Sequence, residues 1–355
     1  MRPIDDYLRE LIQKNGSDLH YIAGQPVRMR VYGKLEPCQA DLLPDADAQE
    51  ALFGIMGAQM QKDYNKRDSA DFAYSVDGVA RFRVNVFRHL GGIGCVMRAI
   101  PTQAKTLEEL KMPPAVTAMC RHSQGMILVT GKTGSGKSTT LAAMIDEINK
   151  TLHGHILTIE DPIEFVHQRH KCLISQREIG LHTKGFADAL RSGLREDPDV
   201  ILVGEMRDLE TISIAVTAAE MGILVMGTLH TNGAAATVDR IVNTFPSAKQ
   251  NHVRTMLSTS LRGVISQQLV PRANDPGLVA ALEILVNTPA VANVIRQGKL
   301  DKLENTMTTG RKAGMITMDA TLKDMMERGV ISSQAAYNAA IDKRAFSKDR
   351  ETEIA

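Results

Sequence analysis

The chain contains no tryptophan, and aromatic residues make up only 4% of its 355 residues. Proteins that bind single-stranded nucleic acid stack bases on aromatic side chains, so a base-stacking platform is not expected here. The 42 basic and 41 acidic residues leave a net charge of +1. The protein therefore has no overall electrostatic attraction to nucleic acid or to acidic membranes, and a nucleic-acid partner is not expected.

Long apolar runs are also missing. No stretch approaches the roughly 18 residues needed to span a bilayer, and the N-terminal segment MRPIDDYLRE has acids where a signal peptide has its apolar core. The cysteines form no Cys-x-x-Cys pair, which argues against a zinc site or a disulfide framework. We therefore expect a cytoplasmic protein without a transmembrane segment. The scattered cysteines are Cys38, Cys95, Cys120 and Cys172.

The overall composition is that of a soluble globular protein long enough for two or three domains, with 43% hydrophobic and 23% charged residues. Residues 1–100 predict a small α+β domain. The segment IDDYLRELI has helical spacing of apolar residues, PVRMRVYGKL alternates as a strand does, and RFRVNVFRHLGGIGCVMRAI predicts two strands around a glycine-rich hairpin. A linker is predicted over 101–114.

From about residue 115 strands alternate with helices, which is typical of a parallel sheet in an α/β domain. The strand GMILVT leads directly into GKTGSGKSTT, which matches the phosphate-binding pattern G-x-x-x-x-G-K-[ST]. Its backbone N–H groups and the following helix N-terminus favour phosphate, Lys137 reaches the β- and γ-phosphates, and Ser138 ligates Mg²⁺. A flexible glycine loop is the alternative, but the flanking strand and helix favour the phosphate site. The predicted nucleotide-binding residues are Gly131, Thr133, Gly134, Ser135, Gly136, Lys137, Ser138 and Thr139.

The acidic residues follow two further predicted strands. In VILVGEMRD the apolar strand stops at a glycine that is followed by one carboxylate, Glu205, where P-loop proteins usually have an aspartate that helps to hold magnesium. HILTI ends at EDPIEF, and because ligands bind at the carboxyl edge of such sheets, Glu160 and Glu164 are expected there as well. We predict Glu205 as the catalytic base, with support from Glu160 and Glu164, and Glu160 as a Mg²⁺ ligand through water. The alternative is a solvated acidic turn.

Two further segments contain histidines that could take part in a site. His230 comes directly after ILVMGTL, at the same predicted edge of the sheet. It is either structural or a sensor of the γ-phosphate, whose hydrogen bond would be lost on hydrolysis. The segment HQRHK (167–171) suggests a metal pair or a basic patch, but no third ligand lies nearby, so solvated surface is predicted.

Four segments resemble the Walker A, Asp box, Walker B and His box of the secretion-ATPase superfamily: GKTGSGKSTT, TIEDPIEF, LREDPDVILVGEMRD and GTLHTN. The resemblance is strongest to the type IV pilus retraction ATPases, and SDLH, ARFRVNVF and TGRKAGMITMDATL extend it along the chain. It implies a PAS-like domain over 1–100, a RecA-like ATPase domain over 115–288, and C-terminal helices and a tail over 289–355. It also implies a homo-hexamer that binds ATP between domains and acts on the inner-membrane platform protein of the pilus machine, docked peripherally at that membrane.

The resemblance also bears on the arginines. Phosphoryl transfer gathers negative charge on the γ-phosphate, and an arginine finger that stabilises it is worth roughly 10³–10⁵ in rate. The relatives take such arginines from the N-terminal domain, where Arg81 and Arg83 match, whereas the residues alone would favour a solvated arginine face. Further candidates are Arg88 and Arg98 in that domain, and Arg191, Arg195 and Arg207 in the nucleotide-binding domain.

Three positions depart from the family pattern. Ile223 stands where a histidine is common, and AVANVIRQ (290–297) has Ala292 and Gln297 in place of charged residues. None of these belongs to the phosphate site, so ATP hydrolysis and pilus retraction remain the predicted function. The extension and type II secretion ATPases of the superfamily usually carry a tetracysteine zinc module. This sequence lacks such a module, which favours the retraction branch. An accessory pilus or secretion ATPase remains open.

Two other classes of function also remain open. A nucleic-acid translocase would need a basic channel that is not visible in the sequence. A nucleotide-gated scaffold would bind ATP without turnover, and the presence of Lys137, Ser138, Glu205 and the Glu160/Glu164 cluster argues against it.

Overall fold

The structure is a computed structural model that describes residues 3–100, 104–275 and 277–347. The first three residues of the predicted linker and the predicted tail from residue 348 lie outside the described residues. The chain divides into two compact units. One comprises residues 1–103 with 164–166, and the other comprises 104–163 with 167–355.

The first unit is an α+β unit built on an antiparallel sheet. Its described strands run in the order β3-β2-β1-β6-β5-β4. The elements are α1 (Ile4–Gln13), β1 (Gly16–Ile22), β2 (Pro26–Val31), β3 (Lys34–Leu42), α2 (Asp45–Ile55), α3 (Ala58–Arg67), β4 (Ser69–Val76), β5 (Ala80–His89) and β6 (Gly92–Ile100).

The helix and the hairpin predicted for this unit are confirmed. In α1 the apolar positions Tyr7, Leu8 and Leu11 are fully buried, because residues three and four apart share one helix face. In β5 the alternate residues Phe82, Val84 and Val86 are buried while Arg83 is exposed. Five elements were not predicted: β1, β3, β4, α2 and α3. Strand β3 has a proline within it and is mostly exposed, so its sequence carries no apolar alternation.

The second unit is built on a mostly parallel sheet with the order β13-β12-β7-β11-β10-β8-β9. Neighbouring strands are parallel except for β12 and β13. Its elements are α4 (Pro114–Met119), β7 (Gly125–Thr130), α5 (Lys137–Thr151), β8 (His155–Glu160), β9 (Leu173–Glu178), α6 (Phe186–Gly193), β10 (Val200–Val203), α7 (Leu209–Glu220), β11 (Leu224–Leu229), α8 (Ala234–Thr244), α9 (Ser247–Ser260), β12 (Leu261–Pro271), β13 (Leu278–Val286), α10 (Pro289–Gln297), α11 (Leu303–Thr309), α12 (Met318–Glu327) and α13 (Ser333–Ala339).

Helices cover both faces of this sheet, and its central strands are therefore apolar throughout. Every residue of β7, β10 and β11 is buried, as expected for strands of a parallel sheet. Along each of these strands, successive buried side chains belong in turn to one or the other of two core clusters, one on each face of the sheet. One of these clusters includes α5. The sequence predicted β7, β8, β10 and β11 but not β9, β12 or β13.

The register of the parallel strands brings their carboxyl ends to one edge. Leu229 at the end of β11 pairs with Thr130 at the end of β7, and Val203 at the end of β10 pairs with Ile159 near the end of β8. The loops after all four strands therefore begin at the same edge of the sheet. None of the helices in the described part of the chain has the length and apolar character needed to cross a membrane.

Candidate active site

The loop between β7 and α5 is shaped by glycines. Gly131, Gly134 and Gly136 have φ angles of +141°, +79° and +88°. Residues other than glycine rarely adopt such backbone conformations. Gly136 is also the residue that precedes the first turn of α5. The loop therefore curls as a phosphate-binding loop must, with a helix N-terminus directed at its mouth.

Lys137 is half-buried and lies against this loop. Its Nζ donates hydrogen bonds to the carbonyl oxygens of Gly131, at 2.9 Å, and Lys132, at 3.1 Å. Burial lowers the pKa of Lys137, and the negative charge of Glu205 opposes that effect. The lysine and the glutamate predicted to act on the same phosphates are thus close enough to interact electrostatically.

The hydroxyl groups of the loop suit a nucleotide with its metal. Ser135 is buried, and its Oγ has no hydrogen-bond partner among the described residues, which leaves it available to a phosphate oxygen. Ser138 is exposed and Thr139 is half-buried at the start of α5. No group of three His, Cys, Asp or Glu side chains in the described ranges could hold a metal ion. The Ser138 hydroxyl at the start of α5 is an oxygen ligand of the kind that Mg²⁺ prefers.

Glu205, directly after the glycine that follows β10, contacts two basic side chains. Its Oε1 accepts a hydrogen bond from Nε of Arg207, and Nε2 of His230 lies 2.9 Å from the same oxygen. Burial alone would raise the pKa of Glu205, but the hydrogen bond from Arg207 and the charge of His230 outweigh burial and lower it. The carboxylate is therefore ionised at neutral pH, and it is held from two sides.

Gly204 allows the end of β10 to approach β8 closely. A Cβ atom on Gly204 would lie 3.1 Å from the carbonyl oxygen of Ile159 and 3.2 Å from Cα of Glu160. The Gly204 N–H donates to that carbonyl oxygen at 2.7 Å. The backbone of Glu160 is thus adjacent to the residue that precedes Glu205, so two of the predicted acids begin at neighbouring strand ends.

The side chains of the other two predicted acids differ from each other in burial. Glu160 is buried, and its Oε1 accepts hydrogen bonds from Thr158 Oγ1 at 2.7 Å and Gln176 Nε2 at 3.3 Å. Glu160 is thus not a solvated acidic turn. Glu164 is exposed and lies in the segment 164–166 that belongs to the first unit. That Glu164 supports Glu205 as the catalytic base stays a prediction.

The arginines of the first unit differ in their partners. Arg98 donates to Asp18 at 2.8 Å, and Arg88 donates to Asp68 at 2.7 Å. Arg83 is exposed and has no ion pair within the described part of the chain. Arg81 is half-buried and shares its face of β5 with Arg83.

In the second unit two of the three candidate arginines have acidic partners. Arg191 pairs with Glu210, and Arg207 pairs with Glu205. Arg195 is exposed and makes no ion pair in the described ranges. Arg207 therefore belongs to the surroundings of the predicted base.

The segment HQRHK is only partly the solvated surface that was predicted. Residues 168–171 are exposed, but His167 is half-buried, and burial lowers its pKa to about 4. Nε2 of His170 lies 3.7 Å from Oδ1 of Asp146. His167 is therefore neutral at physiological pH, and the two histidines have different surroundings.

Sequence reasoning missed three residues that support the loops of this edge. Gln267 of β12 donates from Nε2 to the carbonyl oxygen of Ser135 at 2.6 Å. Ser266 accepts a hydrogen bond from the N–H of Gly233 at 2.8 Å, and Glu283 accepts one from the N–H of Ala234 at 2.7 Å. In the sequence, a polar run over 266–268 within an apolar strand marks Ser266 and Gln267, and Glu283 is a single acid within another apolar strand.

The loop after His230 is held by two hydrogen bonds, one from Gly233 to Ser266 and one from Ala234 to Glu283. Ser266 and Glu283 face each other across β12 and β13. Glu283 also accepts a hydrogen bond from the N–H of Met318, the first residue of α12, at 3.3 Å. It therefore joins the N-termini of two helices, α8 and α12, and burial raises its pKa.

Comparisons with known proteins found relatives that match nearly the whole chain. The type II/IV secretion system protein family model matches residues 1–351. The chain is 48% identical to the type IV pilus retraction ATPase PilT of Pseudomonas aeruginosa, over 95% of this chain and 98% of that protein. It is 40% identical to the type IV pilus ATPase PilU of the same organism, over 96% and 90% of the two chains.

A solved structure is similar over nearly the whole chain. The crystal structure of the pilus retraction motor PilT with bound ADP superposes with a TM-score of 0.91 at 42% identity, and the match covers 97% of this chain and 99% of that one. With a family model that matches nearly the whole chain and relatives that share its full length, the protein belongs to the type II/IV secretion system protein family.

Proposed function

We propose that this protein hydrolyses ATP and works as a motor that powers retraction of type IV pili, the movement that underlies twitching motility. The observation that carries the proposal is the meeting of a glycine-rich loop, Lys137, Glu205 and His230 at one edge of a parallel sheet. Its similarity along the whole chain to PilT supports the coupling of that site to pilus retraction.

ATP would bind with its phosphates in the loop over residues 131–139. The loop's N–H groups and the N-terminus of α5 would bind the phosphate oxygens, with Lys137 at the β- and γ-phosphates. Ser138 would hold Mg²⁺ directly and Glu160 would hold it through water. When bound, Mg²⁺ draws negative charge away from the phosphate oxygens and fixes their positions.

Glu205 would orient the attacking water and accept its proton. The water oxygen forms a bond to the γ-phosphorus, the bond from that phosphorus to the bridging oxygen breaks, and ADP and phosphate result. His230 would keep the Glu205 carboxylate in place through the 2.9 Å contact between them. A charged Lys137 and the proposed fingers Arg81 and Arg83 would stabilise the negative charge that gathers on the transferred group.

The finer architecture is part of the proposal. The first unit would be a PAS-like domain and the second a RecA-like domain. Six copies would form a ring that acts on the inner-membrane platform protein of the pilus machine from the cytoplasmic side. The antiparallel sheet of the first unit and the parallel sheet of the second support these domain types, and the resemblance to the retraction ATPases supports the ring.

A second candidate is an accessory pilus motor. It is favoured by the similarity to PilU and by the departures at Ala292 and Gln297. Both residues lie on α10, where Gln297 is exposed and donates to Asn293 at 3.1 Å. The departures therefore alter the surface of one helix without altering a residue proposed to contact phosphate.

Deletion of the gene, scored by electron microscopy for surface pili, tests the proposal. Excess fibres and a loss of twitching are expected, and both should be reversed by the intact gene but not by one that carries Glu205→Gln. Bald cells would contradict retraction and indicate a motor for extension. Normal pili with weakened twitching would favour the accessory motor.

The purified protein supplies a second arm of the test. ATP hydrolysis that rises with added DNA or RNA, in a strain whose pili are unaffected by the deletion, would favour a nucleic-acid translocase instead. Nucleotide binding without hydrolysis would favour a nucleotide-gated scaffold.

A further inference from the structure

We propose that Gln267 is a positioning residue for nucleotide binding, because its side-chain amide fixes the shape of the loop that precedes α5. The proposal rests on the function proposed above, since it assumes that this loop binds phosphates. Gln267 lies in β12, more than 120 residues after the loop in sequence, and it is only 2% exposed.

Both polar ends of the Gln267 amide are used. Nε2 donates to the carbonyl oxygen of Ser135 at 2.6 Å, and Oε1 accepts from the hydroxyl of Thr140 at 2.8 Å. Ser135 lies within the loop, whereas Thr140 lies in the first turns of α5. One buried side chain therefore connects the loop to the helix that completes the phosphate site.

Gln267 also limits the space around two loop glycines. A Cβ atom on Gly131 would lie 2.3 Å from the backbone carbonyl oxygen of Gln267, and one on Gly136 would lie 2.6 Å from the side-chain Nε2 of Gln267. Both distances are too short for real atoms, so the loop packs against this residue as closely as glycines allow. The backbone and the side chain of Gln267 thus both constrain the loop.

The position of β12 makes this support rigid. It pairs in parallel with β7, and Ser266 lies in register with Thr130, the last residue before the loop. The loop is therefore attached covalently to one strand and by the Gln267–Ser135 hydrogen bond to the next. Since the amide is buried, the loss of its hydrogen bonds would leave polar groups of the loop unpaired or let the loop shift.

The test compares Gln267→Met with Gln268→Met. Methionine has nearly the length of glutamine but cannot make either hydrogen bond. Gln268 is the next residue of β12, on the opposite face of the sheet, where its Nε2 lies 3.5 Å from the carbonyl oxygen of Ala339. The control therefore makes the same chemical change in the same strand away from the loop.

Binding of a fluorescent ADP analogue and the KM for ATP are measured for both variants, together with their melting temperatures. We expect Gln267→Met to raise the Kd and the KM by about 10- to 100-fold, because one or two buried hydrogen bonds are lost. The kcat of molecules that have bound ATP should fall much less. Gln268→Met should bind as the wild type does.

A third variant, Gln267→Glu, separates positioning from general destabilisation. An ionised carboxylate cannot donate to the Ser135 carbonyl oxygen, whereas a protonated carboxyl group can donate there and still accept from Thr140. The Kd of this variant, relative to wild type at each pH, should therefore improve as the pH falls from 8 to 5.5, while that of Gln267→Met stays poor. This arm also serves if Gln267→Met does not fold.

Wild-type affinity in Gln267→Met, or an equal loss in Gln268→Met, would overturn the inference. A relative Kd of Gln267→Glu that does not change with pH would overturn it as well. Failure of the wild-type protein to bind the ADP analogue would instead contradict the proposed function, so the two failures are distinguishable.

Discussion

Nε2 of His230 lies 2.9 Å from Oε1 of Glu205, and these two residues lie just beyond the ends of adjacent parallel strands. Arg207 donates to the same carboxylate oxygen. Because a carboxylate with two basic neighbours stays ionised and has little freedom to rotate, Glu205 is suited to orient a water molecule at one position. The predictions below test this site and the residues proposed to act with it.

Lys137→Ala should abolish measurable hydrolysis and weaken ATP binding by about 100-fold or more, because a charge-assisted contact to the phosphates is lost. Calorimetric titration with ATP and a phosphate-release assay measure the two effects. Lys150→Ala is the matched control, since Lys150 lies in the same helix, pairs with Asp146 and is partly exposed. Normal hydrolysis by Lys137→Ala would exclude the loop as the catalytic phosphate site.

Glu205→Gln should keep ATP binding within a few-fold of wild type and slow hydrolysis by about 10²–10⁴, because an amide cannot accept the proton of the attacking water. Single-turnover hydrolysis measures the chemical step without product release. Glu210→Gln, an exposed change in α7, is the control and should leave the rate unchanged. Near-normal turnover by Glu205→Gln would remove this residue from the role of base.

Arg207→Met should move the acidic limb of the pH–rate profile to higher pH. In the wild type the pKa of Glu205 is lowered, so the carboxylate stays ionised until the pH falls through that lowered value. Without the hydrogen bond from Arg207 the effect of burial is less opposed, the pKa rises, and activity is lost earlier on acidification.

The measurement is kcat/KM for ATP between pH 4 and 8, with melting temperatures taken at each pH. Arg240→Met, an exposed change in α8, is the control. An unchanged acidic limb in Arg207→Met would mean that Glu205 does not set it.

Arg83→Ala should lower kcat by about 10³ or more while it changes the Kd for ATP by only a few-fold, because an arginine finger acts mainly on the transition state. Arg81→Ala is expected to behave in the same way. Arg88→Ala is the control, since Arg88 lies in the same strand and its guanidinium already pairs with Asp68. If neither Arg81→Ala nor Arg83→Ala slows hydrolysis, the first unit does not supply the fingers.

The sequence alone determined the local parts of the protein. The spacing of Gly131, Gly136, Lys137 and Ser138 between an apolar strand and a helix predicted the phosphate loop, because loop shape depends on glycines at fixed positions. Apolar runs predicted the four central strands, because strands buried on both faces contain few polar residues. Helix α1 and the hairpin of the first unit also followed from local periodicity.

Only the tertiary structure decided which distant residues meet. The contacts of Glu205 with His230 and of Gln267 with Ser135 depend on strand order, which no local pattern contains. Strands β9, β12 and β13 were missed because polar residues interrupt their apolar patterns. Hydrogen bonds within a helix or hairpin follow from neighbours in sequence, whereas the order of parallel strands is fixed by how the whole sheet packs against its helices.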